Sequence, residues 1–233
     1  MANSKKVGET EKDLGAIENV LSTSERFVEK NQKALLIGLA VVVAVVLGYL
    51  LFQSYYVAPR EKAAEEMMSV GQRYFMQEKY KVALNGDSVE FDGFLSIIDN
   101  YKMTESANLA AAYAGICYYR LGKYDNAIKY LNQFSGDDKL VSFSVLGTIG
   151  DCYVQKGQIE KGIEYFLKAG SAESPLIAPL YLMKAGKAYE SLSKYDKAIE
   201  MYKQIKEKYT NQISGFSTVE EIDKYIERAK SAK

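Results

Sequence analysis

The sequence contains no histidine, and only two cysteines and three prolines among its 233 residues. Without histidine, the chain lacks the commonest general base near neutral pH and the commonest metal ligand. The 30 Lys and Arg residues balance the 30 Asp and Glu residues, so no net charge attracts the protein to nucleic acid. We therefore expect no catalytic residues, no metal site, no cofactor and no nucleic-acid partner.

The residues that are present favour helices. The chain has 19 tyrosines together with abundant Ala, Lys, Glu and Leu, which form helices readily and supply aromatic groups for packing. The composition is too apolar for intrinsic disorder. The length leaves room for a membrane segment and one domain of ordinary size. We predict an all-α protein.

One long apolar run lies near the N-terminus. Residues 34–52 read ALLIGLAVVVAVVLGYLLF without a charged side chain, and at about 1.5 Å per residue the run is roughly 28 Å long, which matches a bilayer core. It is longer than the apolar region of a cleaved signal peptide, and no A-x-A cleavage pattern follows it. No cysteine follows directly to accept a lipid. We predict a retained transmembrane helix over residues 34–57, in contact with membrane lipid.

The residues flanking this run predict how it is inserted. The basic residues on its N-terminal and C-terminal sides are Arg26, Lys30 and Lys33, then Arg60 and Lys62. The small N-terminal excess favours a single pass with residues 1–33 in the cytoplasm. The S-x-x-E spacing at 22–25 predicts a helix start near Thr23. Residues 13–21 are a further candidate helix, either a surface-lying turn or a docking element.

A Gly-x-x-Tyr element recurs three times, each time before a second amphipathic stretch. The segments read GICYYRLGKYDNAIKYL, GDCYVQKGQIEKGIEYF and GKAYESLSKYDKAIEMY, and they begin at Gly115, Gly150 and Gly186. A small residue lets two paired helices approach closely, and an aromatic residue three positions on fills their interface. Because the spacings of 35 and 36 residues are close to a period of about 34, the segments resemble tetratricopeptide repeats.

A fourth, degenerate unit starts at Gly71, 44 residues before Gly115. The excess length lies in the polar insertion 84–90, which should delay the second helix to about residues 91–101. An α-solenoid domain is predicted over 58–233, with units at about 60–103, 108–139, 143–174 and 179–210 and a capping helix at 217–231. The positions assigned to packing within the repeats are Gly71, Tyr74, Ala83, Gly115, Tyr118, Ala127, Gly150, Tyr153, Gly162, Gly186, Tyr189 and Ala198.

The two cysteines occupy equivalent positions in successive units. Adjacent first helices pack about 8–10 Å apart, whereas a disulfide needs Cα atoms within about 7 Å. We therefore interpret Cys117 and Cys152 as small packing residues rather than as a disulfide pair.

The first helices of stacked repeats line a concave face that usually binds partners. The residues predicted to face this groove are Met68, Phe75, Met76, Leu109, Ile116, Tyr119, Val154, Leu180 and Met183, with Asp151, Lys187 and Glu190 among them. An apolar groove with adaptable methionines suits an amphipathic helix or an unfolded segment. Two alternatives remain open: these side chains contact the neighbouring repeat, or the C-terminal helix fills the groove.

The complete layout resembles a known family. Residues 24–31, SERFVEKN, lead directly into Lys33, Ala34 and Leu35, and a single anchor precedes degenerate repeats. This arrangement is similar to the YfgM-like ancillary subunits of the bacterial Sec translocon, in their Bacteroidota form. The resemblance implies an inner-membrane protein with a periplasmic repeat domain. Its implied partners are Sec translocon subunits, a membrane-anchored chaperone of the peptidyl-prolyl-isomerase type and newly secreted polypeptides.

Two other functions are compatible with the sequence. A tetratricopeptide scaffold could organise cell-envelope or outer-membrane assembly without a role at the translocon. An enzymatic role would require a partner to supply the chemistry, because no catalytic motif is present in this chain.

Overall fold

The computed structural model describes residues 30–87, 89–136, 138–209 and 219–233. Their regular secondary structure is entirely helical, so the predicted all-α class is confirmed. The helices are α1 (30–52), α2 (Ala58–Met76), α3 (Tyr80–Asn85), α4 (Phe94–Asn100), α5 (Glu105–Arg120), α6 (Tyr124–Leu131), α7 (Lys139–Gln155), α8 (Ile159–Gly170), α9 (Ala178–Ser191), α10 (Tyr195–Tyr209) and α11 (Val219–Ser231). A π-helical turn, Gln53–Val57, connects α1 to α2.

The chain divides into two compact units, Met1–Ala58 and Pro59–Lys233. Helix α1 lies in the first unit and forms part of a continuous helix, Lys30–Met76, that is long and apolar enough to cross a membrane. The side chains of its apolar window are not buried inside the protein. The predictions for residues 13–25, and for most of the cytoplasmic segment 1–33, lie outside the described residues.

The second unit is built from helix pairs. Helices α5 and α6, α7 and α8, and α9 and α10 pack against each other, and α7, α9 and α11 each pack against the preceding second helix. Each pair buries an apolar stripe that it cannot cover alone, so stacking the pairs creates a continuous core. The side chains at the centre of this core include Phe94, Leu131, Ile149, Phe166 and Tyr202.

The turn between the two helices of a repeat has the same geometry in all four units. Glu78, Gly122, Gly157 and Ser193 adopt positive φ angles of 58°, 72°, 74° and 57°. In each turn the following N–H group donates to the carbonyl of the repeat tyrosine five residues earlier, as in Lys123 to Tyr118 at 2.9 Å. This is the Schellman arrangement, in which a left-handed residue ends a helix and satisfies its last carbonyls.

The degenerate first unit departs from its prediction. Its second helix is not delayed to residues 91–101. Instead it begins at Tyr80, in register with the other units, breaks after Asn85 and resumes at Phe94. The break is held by Asp87, whose Oδ1 accepts hydrogen bonds from backbone N–H groups and whose Oδ2 accepts from the Tyr74 hydroxyl at 2.5 Å. The three N–H donors, at 2.9–3.0 Å, belong to Val89, Glu90 and Phe91.

Helix α11 packs against α10 in the position of a further first helix. The Tyr225 ring lies 5.5 Å from that of Tyr202, and Lys206 Nζ lies 2.6 Å from Asp223 Oδ1. Its outward residues include Lys224, Glu227 and Lys230, all exposed, as expected of a terminal helix that covers a solenoid end. The predicted capping residues before Val219 lie outside the described residues.

Equivalent ion pairs connect successive units along the turn edge. In each pair an acidic residue at the second position of a second helix contacts a lysine of the following unit or helix. The pairs are Asp125 with Lys156, Glu160 with Lys194, and Asp196 with Lys233. Their acidic members are well exposed, so each pair contributes at most about 1 kcal/mol to stability.

Candidate protein-binding site

Close helix contact at the repeat glycines positions the first helices. A Cβ atom added at Gly115 would lie 2.5 Å from Leu131 Cγ, and one at Gly186 would lie 2.4 Å from Tyr202 Cε1. Gly71 and Gly150 face the rings of Phe94 and Phe166 in the same way. The absence of a side chain at these positions therefore lets a large residue of the second helix fill the space.

The second helices also carry small residues, which lie in the same interfaces between the first and second helix of each unit. Ala83, Ala127 and Ala198 are completely buried. A Cβ atom at Gly162 would lie 2.4 Å from Val154 Cγ2. These positions allow the close approach that fixes where each first helix lies.

The repeat tyrosines pack on the second helices. Tyr118 stacks on Tyr130 with ring centroids 5.3 Å apart, and Tyr153 stacks on Tyr165 at 5.4 Å. Burial raises the pKa of the Tyr118 hydroxyl above its usual value, and burial is also the main cause of the raised pKa of Tyr189. Lysine ammonium groups lie over the rings of Tyr74, Tyr153 and Tyr189 at 5.5–5.7 Å.

Most side chains predicted to line the groove are half-buried against the core. Phe75 and Leu109 pack on the cluster around Phe94, and Phe75 meets the Tyr113 ring edge-to-face at 5.1 Å. Ile116 and Tyr119 pack on the cluster around Leu131, and Val154, Leu180 and Met183 pack on the cluster around Phe166. The helices around them, in their own unit or in the neighbouring one, therefore cover part of each of these seven side chains.

The two methionines of α2 differ sharply in exposure. Met68 is only 4% exposed: it belongs to the core and shows one edge to a cavity between the first helices. Met76 is 76% exposed. The apolar surface that the first helices offer to a partner is therefore smaller than the sequence pattern predicts.

A cavity of about 850 Å³ opens between the first helices at the N-terminal end of the repeat unit. Helices α2 and α5 supply two of its walls, and the loop after α6 with the start of α7 supplies the third. Its lining residues are Glu61, Glu65, Met68, Ser69, Gln72, Glu105, Ser106, Asn108, Leu109, Phe134, Ser135, Gly136, Asp138 and Val141. This volume lies within the range of ligand pockets. Among the described residues, none of helix α11, the other candidate occupant of the groove, belongs to the lining.

Hydrogen bonds between the walls hold this cavity open. Both carboxylate oxygens of Glu61 accept from the start of α5, with Glu105 N at 2.7 Å and Ser106 N at 3.0 Å. Asn108 forms two hydrogen bonds of 2.8 Å with the backbone of Ser135. Asp138 caps α7 by accepting from Val141 N at 3.0 Å. The walls are therefore positioned before any partner binds.

Sequence reasoning did not find this cavity. Its walls come from contacts between residues 44 and 45 positions apart, as from Glu61 to α5, and from a loop whose path depends on Asn108. The one local indication was Asp138, an acidic N-cap residue just before an apolar helix.

The charged residues that fall among the groove positions are paired with neighbouring helices. Asp151 Oδ2 lies 2.6 Å from Lys184 Nζ on α9, and desolvation raises the pKa of this carboxyl above its usual value. Glu190 accepts from the Tyr202 hydroxyl at 2.9 Å and from Arg228 of α11 at 2.6 Å. Lys187 lies over the Tyr225 ring at 5.0 Å. These side chains connect successive units.

The two cysteines are free and fully buried, as their interpretation as packing residues requires. Desolvation raises the pKa of both thiols to about 12, far above the usual thiol value of about 8.5. Neither thiol is therefore an activated nucleophile. Among the described residues, no group of three or more Cys, Asp and Glu side chains is arranged to hold a metal ion.

Sequence comparison identifies the repeats. One model described as tetratricopeptide repeat matches residues 113–137 and 181–211, and a second model with the same description matches residues 143–172. The matches fall on the pairs α5/α6, α7/α8 and α9/α10. The sequence matches none of the curated proteins with which it was compared.

Solved structures share the fold. A Podosopora anserina protein, described as a putative kinesin light chain with nearly identical TPR-like repeats, aligns with a TM-score of 0.52 at 11% identity. The alignment covers 72% of this chain and 85% of that chain, and a point variant of that protein aligns equally well. The MamA protein aligns with a TM-score of 0.49 at 17% identity, over 72% of this chain and 91% of MamA. Together with the repeat matches, the first of these alignments shows that the repeat unit is a tetratricopeptide-type solenoid.

Proposed function

We propose that this chain is a non-enzymatic scaffold that α1 anchors in a membrane and that binds protein segments through the first helices of its repeats. Tetratricopeptide repeats are typical protein-interaction scaffolds, and they present their first helices to partners. The observation that carries the proposal is the preformed cavity between α2, α5 and the start of α7. A concave surface of this kind suits a bound segment, because it covers more of the segment's surface than a flat one does.

We further propose a place for this scaffold beside the Sec translocon of the bacterial inner membrane. In this arrangement the N-terminus lies in the cytoplasm and the repeat unit lies in the periplasm. There the repeats recruit a membrane-anchored chaperone of the peptidyl-prolyl-isomerase type or hold emerging secreted polypeptides. The support is the resemblance around residues 24–35, the basic excess before the apolar run 34–52 and a helix of suitable length.

Chemical crosslinking in intact membranes tests this placement. The full chain carries an affinity tag after Lys233, and a lysine-reactive crosslinker is applied before detergent extraction. Mass spectrometry then identifies the attached proteins. Translocon subunits with a periplasmic chaperone would support the proposal. Enrichment of outer-membrane or cell-wall assembly factors without translocon subunits would replace it with the envelope-assembly role.

A further inference from the structure

The cavity between α2, α5 and the start of α7 has an unbalanced charge. Four carboxylates line it, those of Glu61, Glu65, Glu105 and Asp138, and no Lys or Arg is among its described lining residues. The described basic residues next to lining residues in the sequence, Arg60, Lys62, Arg73 and Lys139, do not line the cavity. This imbalance is local, because the chain as a whole carries equal numbers of acidic and basic residues.

The four carboxylates have different roles. Glu61 and Asp138 accept hydrogen bonds from the first turns of α5 and α7, so they stabilise helix ends. Within the described part of the chain, no ion pair or side-chain hydrogen bond neutralises the carboxylates of Glu65 and Glu105. Both residues are exposed, so their charges are available to a group that enters from solvent.

Apolar side chains form the remainder of the pocket. Met68, Leu109, Phe134 and Val141 share the lining with the acidic residues. Of these, Met68 is almost fully buried and the other three are half-buried. Aliphatic stems of long basic side chains pack well on such a surface while their charged ends reach the carboxylates.

We propose that this cavity binds a polypeptide segment in which Lys or Arg alternates with apolar residues. Charge complementarity selects this occupant: an acidic segment would place like charges together, and such juxtaposition is strongly unfavourable. A neutral apolar segment would leave the carboxylates partly desolvated without a partner. This inference rests on the proposed function, because it names the partner chemistry of the same surface.

Peptide binding to the full chain in phosphatidylcholine nanodiscs tests the inference. The probes are a fluorescein-labelled amphipathic peptide of Leu and Lys and a matched peptide in which Glu replaces every Lys. Empty nanodiscs give the lipid background for each peptide. The test variant is Glu65→Gln with Glu105→Gln. The control variant is Glu164→Gln with Glu200→Gln, which removes the same charge from exposed positions on α8 and α10.

The Leu/Lys peptide should bind the wild-type chain more tightly than the Leu/Glu peptide. Its Kd should rise about tenfold or more in the test variant, because charged hydrogen bonds are lost, and should change little in the control variant. Raised salt should reduce the difference between the two peptides.

The inference is overturned if the wild-type chain binds both peptides alike or neither, or if the two variants bind the Leu/Lys peptide equally. None of these results would contradict the scaffold function, which is tested separately by the crosslinking in membranes. Conversely, an absence of crosslinked partners alongside selective Leu/Lys binding would contradict the scaffold's proposed location and leave the cavity's preference in place.

Discussion

Each repeat turn contains one residue with a left-handed backbone conformation, and at this position a side chain raises the free energy of the folded backbone. Gly157 holds φ at 74°, and Ser193 holds the equivalent angle at 57°. For an L-residue other than glycine this conformation costs about 1–2 kcal/mol, although a side chain also restricts the unfolded chain and offsets part of that cost. The unit that contains Ser193 tolerates this strain, and the unit that contains Gly157 avoids it.

Gly157→Ala should lower the free energy of unfolding by about 1 kcal/mol, because no atom near its Cβ compensates for the strained backbone. Ser193→Gly makes the reverse change: it relieves the backbone strain, but it also increases the conformational freedom of the unfolded chain. These opposing effects should leave the free energy of unfolding within about 0.5 kcal/mol of wild type. Urea unfolding followed by circular dichroism measures both variants. A Gly157→Ala protein as stable as wild type would contradict the assigned turn geometry.

Cys117 and Cys152 should resist a maleimide reagent at neutral pH in the native protein. Each side chain is buried and each thiol has a pKa of about 12, so the reactive thiolate is scarce and inaccessible. Both thiols should react once the protein is unfolded in urea without a reductant. A Ser231→Cys variant supplies an exposed thiol as the positive control. Labelling that requires prior reduction would reveal a disulfide and contradict the structure.

At the scale of elements, the loop between α3 and α4 depends on one carboxylate. Asp87 accepts from the Tyr74 hydroxyl and from three backbone N–H groups. These hydrogen bonds favour the ionised form and hold the pKa of Asp87 well below its usual range. The same contact raises the pKa of the Tyr74 hydroxyl. The carboxylate thus replaces the helical hydrogen bonds that the insertion removes.

Acid should loosen this loop before the rest of the repeats. Because the folded pKa is depressed, the contribution of Asp87 is fully present above its unfolded pKa of about 3.9 and is lost as the pH falls through and below that value. Amide exchange of residues 89–91, compared at mildly acidic pH and near pH 3 after correction for intrinsic rates, measures the effect. In Asp87→Asn the pH dependence should disappear. A similar pH response in both proteins would exclude Asp87 as the cause.

The helix pairs could be predicted from the sequence because the residues that determine them are close together in the chain. Gly115, Gly150 and Gly186 each precede a tyrosine at a fixed distance, and the turn residue follows at a fixed distance from both. The break in the second helix of the first unit could not be predicted in this way. Its start at Tyr80 follows the repeat register, but its break depends on Asp87, which accepts a hydrogen bond from the Tyr74 hydroxyl of a different element.

The candidate site was predicted less well than the repeats. The helical register placed residues on the first-helix face, but it did not distinguish side chains that reach solvent from those covered by the next repeat. Met68 illustrates the difficulty, since it is only 4% exposed and belongs to the cluster around Phe94. The third wall of the cavity is positioned by the Asn108 contact with Ser135, which no periodic pattern encodes.

At the scale of the whole molecule, α1 should determine where the protein resides. The full chain should sediment with membranes and resist carbonate extraction, because the apolar side chains of residues 34–52 are exposed in the part of the protein that the structure describes. Deletion of residues 1–58 should release a helical, soluble repeat unit, since Pro59–Lys233 is compact by itself. Recovery of the full chain in the carbonate-soluble fraction would contradict membrane anchoring.

The central claim is that partners bind the first-helix face of a membrane-anchored repeat unit. A photo-crosslinking amino acid replaces Gln72, which lines the cavity, or Glu164, an exposed residue of the second helix α8. Both full-length variants are irradiated in intact membranes. We expect discrete protein adducts from position 72 and few from position 164. Equal adducts from both positions, or adducts from position 164 alone, would contradict the claim.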